Sequence, residues 1–209
     1  MMRPLTTTIT APAATRDLVD LADVREQLQI RATDTAYDAW LAKVISRASM
    51  QAERYCNRIF ALQTYHDYFT AVCGAPGSPL LTGQAPIVSI SGITVDAGTA
   101  PLDTTSYMTD DPPGFIYWIA DGNGWTAASS IATDYIAGFD TIPDDVQQAV
   151  IELCVMEFRA RGRDPMLRER DTPGLGRESY WVGPPPGGAT ALPADIGALL
   201  DPYRRGIIG

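Results

Sequence analysis

The apolar positions fall into three long patterns along the chain. In DTAYDAWLAKVISRASMQAERYC, Tyr37, Trp40, Leu41, Val44, Ile45, Ala48, Ala52 and Tyr55 recur every three to four residues. This predicts an amphipathic helix over 35–56, capped by Asp34 or Thr35. Its stripe, with Trp40, Leu41, Val44 and Ile45, is expected to be core, while Lys43, Arg47, Glu53 and Arg54 fall outside it. A shorter one-sided helix is predicted over 20–29 from Leu21, Val24 and Leu28, with Asp20 as cap and Val19 and Val24 as a hydrophobic staple. A third helix is predicted over 143–161. Thr141 is its cap, Asp144 and Asp145 suit its positive end, Arg159 and Arg161 suit its negative end, and Val150 and Leu153 lie on its stripe.

Residues 60–140 switch to a period of two. LQTYHDYF, APIVSISGITVD and TDYIAGF alternate as strands do, and SYMTDDPPGFIYWI reads as a hairpin turning at Asp110-Asp111-Pro112-Pro113-Gly114. Five or six short antiparallel strands are expected, with a loop near 70–80. Residues 1–16, rich in Thr, Ala and Pro, read as a mobile arm. Residues 163–209 read as an Arg-bearing loop, a Pro/Gly linker at GPPPGG and a short helix with Ile196, Leu199, Leu200 and Tyr203 on one face. So short a helix docks on its own body or on a partner. The fold class is therefore α+β: a small helical bundle over 17–162 with an inserted antiparallel β-rich portion, and an extended C-terminal tail.

Composition narrows the chemistry. The 209 residues include three cysteines, Cys56, Cys73 and Cys154, with no C-x-x-C pair, which argues against a disulfide framework or a structural zinc. The one histidine, His66, excludes His-rich metal motifs, and the one lysine, Lys43, excludes a standard phosphate-binding loop. No cofactor or metal is implied. No apolar run suits a membrane span, and the N-terminus lacks the apolar core of a signal peptide. The net charge is −9, and residues 61–140 carry eight acids with no Lys or Arg. That region cannot grip phosphates. It reads either as an ordinary acidic surface or as a wall that touches nucleic acid only to repel it.

Candidate catalytic groups each have a blander reading. His66 lies in an aromatic strand, no G-x-S-x-G elbow is present, Asp110-Asp111 suits a turn and Asp144-Asp145 a helix start. Asp121-Gly122-Asn123-Gly124 lacks the closing Glu of a calcium loop, and Cys154 reads as a buried hydrophobe. The chain does not read as an enzyme.

The order and spacing of LADVREQLQI, AERYCNRIF, APIVSISGITV, SYMTDDPPGFIYW, DYIAGF and PDDVQQAVIELCVMEFRARG resemble the head–tail connector, or adaptor, proteins of long-tailed phages and phage-like gene transfer agents. The resemblance covers residues 18–162. It implies a non-enzymatic virion protein, made in the bacterial host cytoplasm, that forms a ring, usually dodecameric, at the head–tail interface. The implied partners are the portal protein, the neighbouring tail-completion (stopper) protein, further copies of the chain, and passing DNA without sequence-specific contact. Such a ring needs two different complementary faces on each subunit, and charge segregation nominates the Arg-rich 159–177 stretch and the acidic sheet. The family's use of its C-terminal region nominates Ile196, Leu199, Leu200 and Tyr203, with Arg159, Arg161, Arg163, Arg168 and Arg170, for the portal contact. Competing readings are a β-rich module binding carbohydrate or peptide, with Trp118 and Trp125 as stacking platforms, and a hydrolase with an unrecognised carboxylate site.

Overall fold

The computed structural model describes residues 1–70, 78–98, 100–120, 125, 128–161, 169–172, 176–179 and 192–205. The chain divides into two compact units, each built from two stretches of sequence: Met1–Arg16 with Arg58–Ile142, and Asp17–Asn57 with Pro143–Gly209. The first is β-rich and the second helical, so the fold is α+β with the sheets inserted between two helices of the bundle.

The helical unit contains α1 (Leu21–Gln27), α2 (Asp38–Cys56), α3 (Asp144–Ala160) and α4 (Ala194–Leu200). Each helix packs on α3, and α2 also meets α1 and α4. The sequence stripes do this: Leu41, Val44, Ile45, Ala48 and Ala52 of α2 and Val146, Ala149, Val150, Leu153 and Cys154 of α3 are all buried. Val19 and Val24 are buried around the start of α1. Asp20 occupies its N-cap position without a side-chain cap bond. Two helix starts differ from the pattern. α2 begins at Asp38 after Tyr37, because the Asp34 carboxylate accepts from the Ala36 amide and holds residues 34–37 in a turn of their own. α3 begins at Asp144, capped by Pro143, whose missing N–H costs nothing at that position.

The β-rich unit holds a four-stranded antiparallel sheet in the order β1-β2-β7-β4, formed by Thr6–Ala11, Gln63–Thr70, Ser130–Ala137 and Ile87–Val95. A second sheet has the order β3-β6-β5, formed by Leu80–Leu81, Phe115–Trp118 and Tyr107–Asp110. Alternation along β2 and β7 sends Tyr65, Phe69, Ile131 and Tyr135 inward, to a core shared with Leu80, Ile93, Ile116 and Trp125. A carboxyl group is buried there. Asp67, fully buried, accepts from the Tyr135 hydroxyl at 2.9 Å and the Gly83 amide at 2.6 Å, while the Tyr135 oxygen accepts from the Gln84 amide at 3.0 Å. This network ties the loop before β4 to the central strands.

Two expectations are corrected. Residues 6–11 are not a mobile arm: they form β1, paired with β2 from Thr6 opposite Tyr68 to Ala11 opposite Thr64. Five of the six residues are β-branched, but all are exposed, so no apolar alternation marks the strand. The stretch after α3 is not wholly irregular either. Glu169–Thr172 (β8) pairs with Gly176–Ser179 (β9), the register setting Arg170 opposite Glu178 and Asp171 opposite Arg177. The predicted GPPPGG linker, and most of the loop near 70–80, lie outside the described residues.

Candidate functional site

Among the described residues the groups with catalytic potential do not converge. His66 Nδ1 meets Asp134 Oδ1 at 2.7 Å across β2 and β7. Thr8 pairs with His66 in register from β1, yet its hydroxyl donates to the His66 backbone carbonyl, not to the ring. The Thr8 hydroxyl is therefore not a nucleophile activated by that imidazole. Asp110 and Asp111 sit exposed at the β5–β6 turn, where both carbonyls accept from the Gly114 amide. Asp144 and Asp145 lie in the first turn of α3. Burial pushes the Cys154 thiol up to about 12, which removes it as a nucleophile. Among the described residues no group of three or more His, Cys, Asp or Glu is placed to hold a metal ion, and no helix is long and apolar enough to cross a membrane. Asp121 to Gly124 lie outside those residues.

Of the two indoles, Trp125 belongs to the core and Trp118 packs against it, half-buried. Trp125 is buried, donates from Nε1 to the Ile116 carbonyl at 3.2 Å and meets Trp118 edge-on at 5.0 Å.

The predicted interface residues fall into three groups. Ile196 and Leu200 are buried, so they hold α4 against α3 instead of presenting an apolar face to a partner. Gly197 makes room for the Tyr55 ring, whose hydroxyl donates to Asp201 at 2.7 Å. Leu199 and Tyr203 are half-buried, and the Tyr203 hydroxyl reaches Asp145 at 3.5 Å. Arg159 is exposed. Arg161 is engaged within its own chain: its guanidinium lies 4.2 Å from the Tyr37 ring centroid, 5.3 Å from Phe158 and 5.7 Å from Trp40. Trp40 is accordingly half-buried under this cation and is not the core residue its stripe suggested. Arg163 and Arg168 lie outside the described residues, and Arg170 is in β8. The sequence carries a signal for this aromatic seat in Tyr37-x-x-Trp40 at one helix start and Phe158-x-x-Arg161 at another's end.

No protein-family model and no curated protein matches this sequence. Solved structures do. A chain in the neck of an empty GTA particle, computed with C6 symmetry, superposes with a TM-score of 0.60 at 18% identity, covering 98% of this chain and 99% of that one. This chain shares its fold with a gene transfer agent neck chain. A chain in the virion of a native gene transfer agent particle gives 0.59 at 18% identity, and one in a native neck computed with C12 symmetry gives 0.55 at 17%, each with the same coverage. The shared fold takes in both units, beyond the residues 18–162 that carry the sequence resemblance.

Proposed function

We propose that this protein is a structural head–tail adaptor, which assembles as a ring beneath the portal, joins a DNA-filled head to the tail and lines the DNA exit channel. The observation that carries the reading is the fold shared over 98% of the chain with a gene transfer agent neck chain. The C6 and C12 symmetries of those necks support a ring of copies. The charge supports the channel role: with a net charge of −9 and no cation from 61 to 140, a wall of these subunits repels phosphates and lets DNA slide.

The partners are then the portal protein, the next tail-completion protein and neighbouring copies, in a virion or phage-like particle assembled from protein made in the host cytoplasm. Because Ile196 and Leu200 are buried, the portal contact of this reading falls to the rest of the predicted surface, with exposed Arg159 and half-buried Leu199 and Tyr203 among the described residues, together with the stretch that carries Arg163, Arg168 and Arg170 in the sequence. Immunogold labelling of a tagged chain tests the reading. Gold at the junction of head and tail is expected, and gold confined to tail tips or capsid facets refutes it.

A further inference from the structure

We propose that adjacent copies in the ring meet head-to-tail, the cationic outer face of α2 in one copy seated on the apolar, acid-rimmed outer face of β5 and β6 in the next. The proposal rests on the adaptor reading and names a contact within it.

The first face is a single line along α2. Lys43, Arg47, Met50 and Arg54 are spaced by four, three and four residues, so they stack on one side of the helix, and all four are exposed. The acids of α2 do not offset them. Asp38 pairs with Arg25, and Glu53 is buried. Arg47 shares Glu157 in an exposed pair, which contributes little and exchanges readily. Among the described residues neither Lys43 nor Arg54 has an ion-pair partner. An acidic protein thus presents one cationic row with an exposed methionine in it.

The second face is the outer side of the smaller sheet. The register sets Met108 opposite Tyr117 and Asp110 opposite Phe115, on the side away from buried Ile116. Met108 is 56% exposed and Ile119, two residues beyond Tyr117, is 52% exposed. The Phe115 and Tyr117 rings lie 6.1 Å apart beside them. The acids Asp110 and Asp111 stand exposed at the end of this patch, and no Lys or Arg occurs from 61 to 140, the cations of its unit being Arg3, Arg16 and Arg58 outside that range. A contiguous apolar patch with a charged rim is the signature of a protein contact.

Charge complementarity commits the occupant to a second copy. The two faces have opposite sign, each has an apolar centre, and their lengths agree: about 16 Å from Lys43 to Arg54 at the helical rise and about 13 Å for a four-residue strand. Two α2 rows repel each other, and so do two acidic patches. Only unlike faces pair, and such head-to-tail pairing is the kind of contact from which a ring is built.

The test is a charge swap in the particle-producing strain whose own gene is disrupted, with tailed particles counted by electron microscopy. Lys43→Glu/Arg47→Glu/Arg54→Glu and Asp110→Lys/Asp111→Lys are each expected to lower the count at least tenfold, and combining them in one chain is expected to restore it. Normal counts from either variant, or no restoration by a combined chain that folds by circular dichroism, overturn the proposal. So does loss with the α2 variant alone, which would assign that row to DNA or another protein. A positive readout stands beside it: particles carrying Met50→Cys and Met108→Cys together should give a ladder of disulfide-linked copies on oxidation, absent with either change alone. No ladder overturns the pairing. If the disrupted strain already makes normal tailed particles, the adaptor reading itself fails, before any variant is scored.

Discussion

The buried network around Asp67 permits a substitution that changes chemistry and hardly any shape. Tyr135→Phe removes one oxygen from a fully buried ring, so no sizeable cavity is left. It removes the 2.9 Å hydrogen bond to a buried carboxylate and the acceptor for the Gln84 amide at 3.0 Å. A hydrogen bond to a charged group contributes about 1.5–3 kcal/mol, and a half-buried amide left without its acceptor adds about 1 kcal/mol, for a total near 3 kcal/mol. Native-state hydrogen exchange localises the effect to the β-rich unit. The slowest amides of β2 and β7 should exchange about 100-fold faster, since about 1.4 kcal/mol is a factor of ten. Acceleration below about fivefold would mean that the network does not hold the sheet. The pH dependence has a definite sign. Burial, then the Asp67 charge, holds the Tyr135 phenol above its ordinary value of 10.0. The folded state therefore keeps a proton that the unfolded chain releases, so this contribution is complete below pH 10 and declines as pH rises beyond it. Tyr135→Phe should lose less stability than the parent between about pH 10 and 11.

Three further outcomes follow from other sites. Leu200→Ala should destabilise the helical unit by about 2–5 kcal/mol, read from urea unfolding by far-ultraviolet circular dichroism; a change under about 1 kcal/mol would return α4 to the role of a free partner-binding helix. Gly138→Ala should cost about 3 kcal/mol, because φ is +127° and a Cβ would come within 2.6 Å of the Ala61 carbonyl oxygen; thermal unfolding within a degree of the parent would contradict this. In a Cys73→Ser background, Cys56 and Cys154 should resist a thiol reagent at pH 8 until denaturant is added, since both are buried; rapid labelling of the native protein would refute that.

The helices were legible where one face carries the apolar residues. Leu41, Val44 and Ile45, and likewise Val150 and Leu153, are core because a 3.6-residue period and a packed bundle impose the same spacing. Periodicity reports a face but not its depth, which is why Trp40 lies half-buried under Arg161 on the same stripe. It also left open whether Ile196 and Leu200 dock at home, a question only tertiary packing answers. Among the strands, β2 and β7 alternate cleanly because one side of each faces the core. β1 carries no such mark, since both its faces are wet, and Thr-rich sequence then looks like linker. β8 and β9 were hidden in a charged, glycine-bearing stretch, although Arg170 opposite Glu178 and Asp171 opposite Arg177 are pairs an antiparallel ladder favours. The candidate interaction faces were the least legible. Lys43, Arg47 and Arg54 are exposed, as their place off the stripe predicts, whereas Glu53, predicted beside them, is buried, and a solvated face and an interface face have the same pattern in one chain.

The proposed role comes down to a single claim, that the chain joins head to tail, and the shared fold and the one-sided charge are what support it. Disrupting its gene in the producing strain and examining the particles by electron microscopy tests that claim most directly. DNA-filled heads accumulating beside free tails are the predicted result. Normal tailed particles would contradict the account.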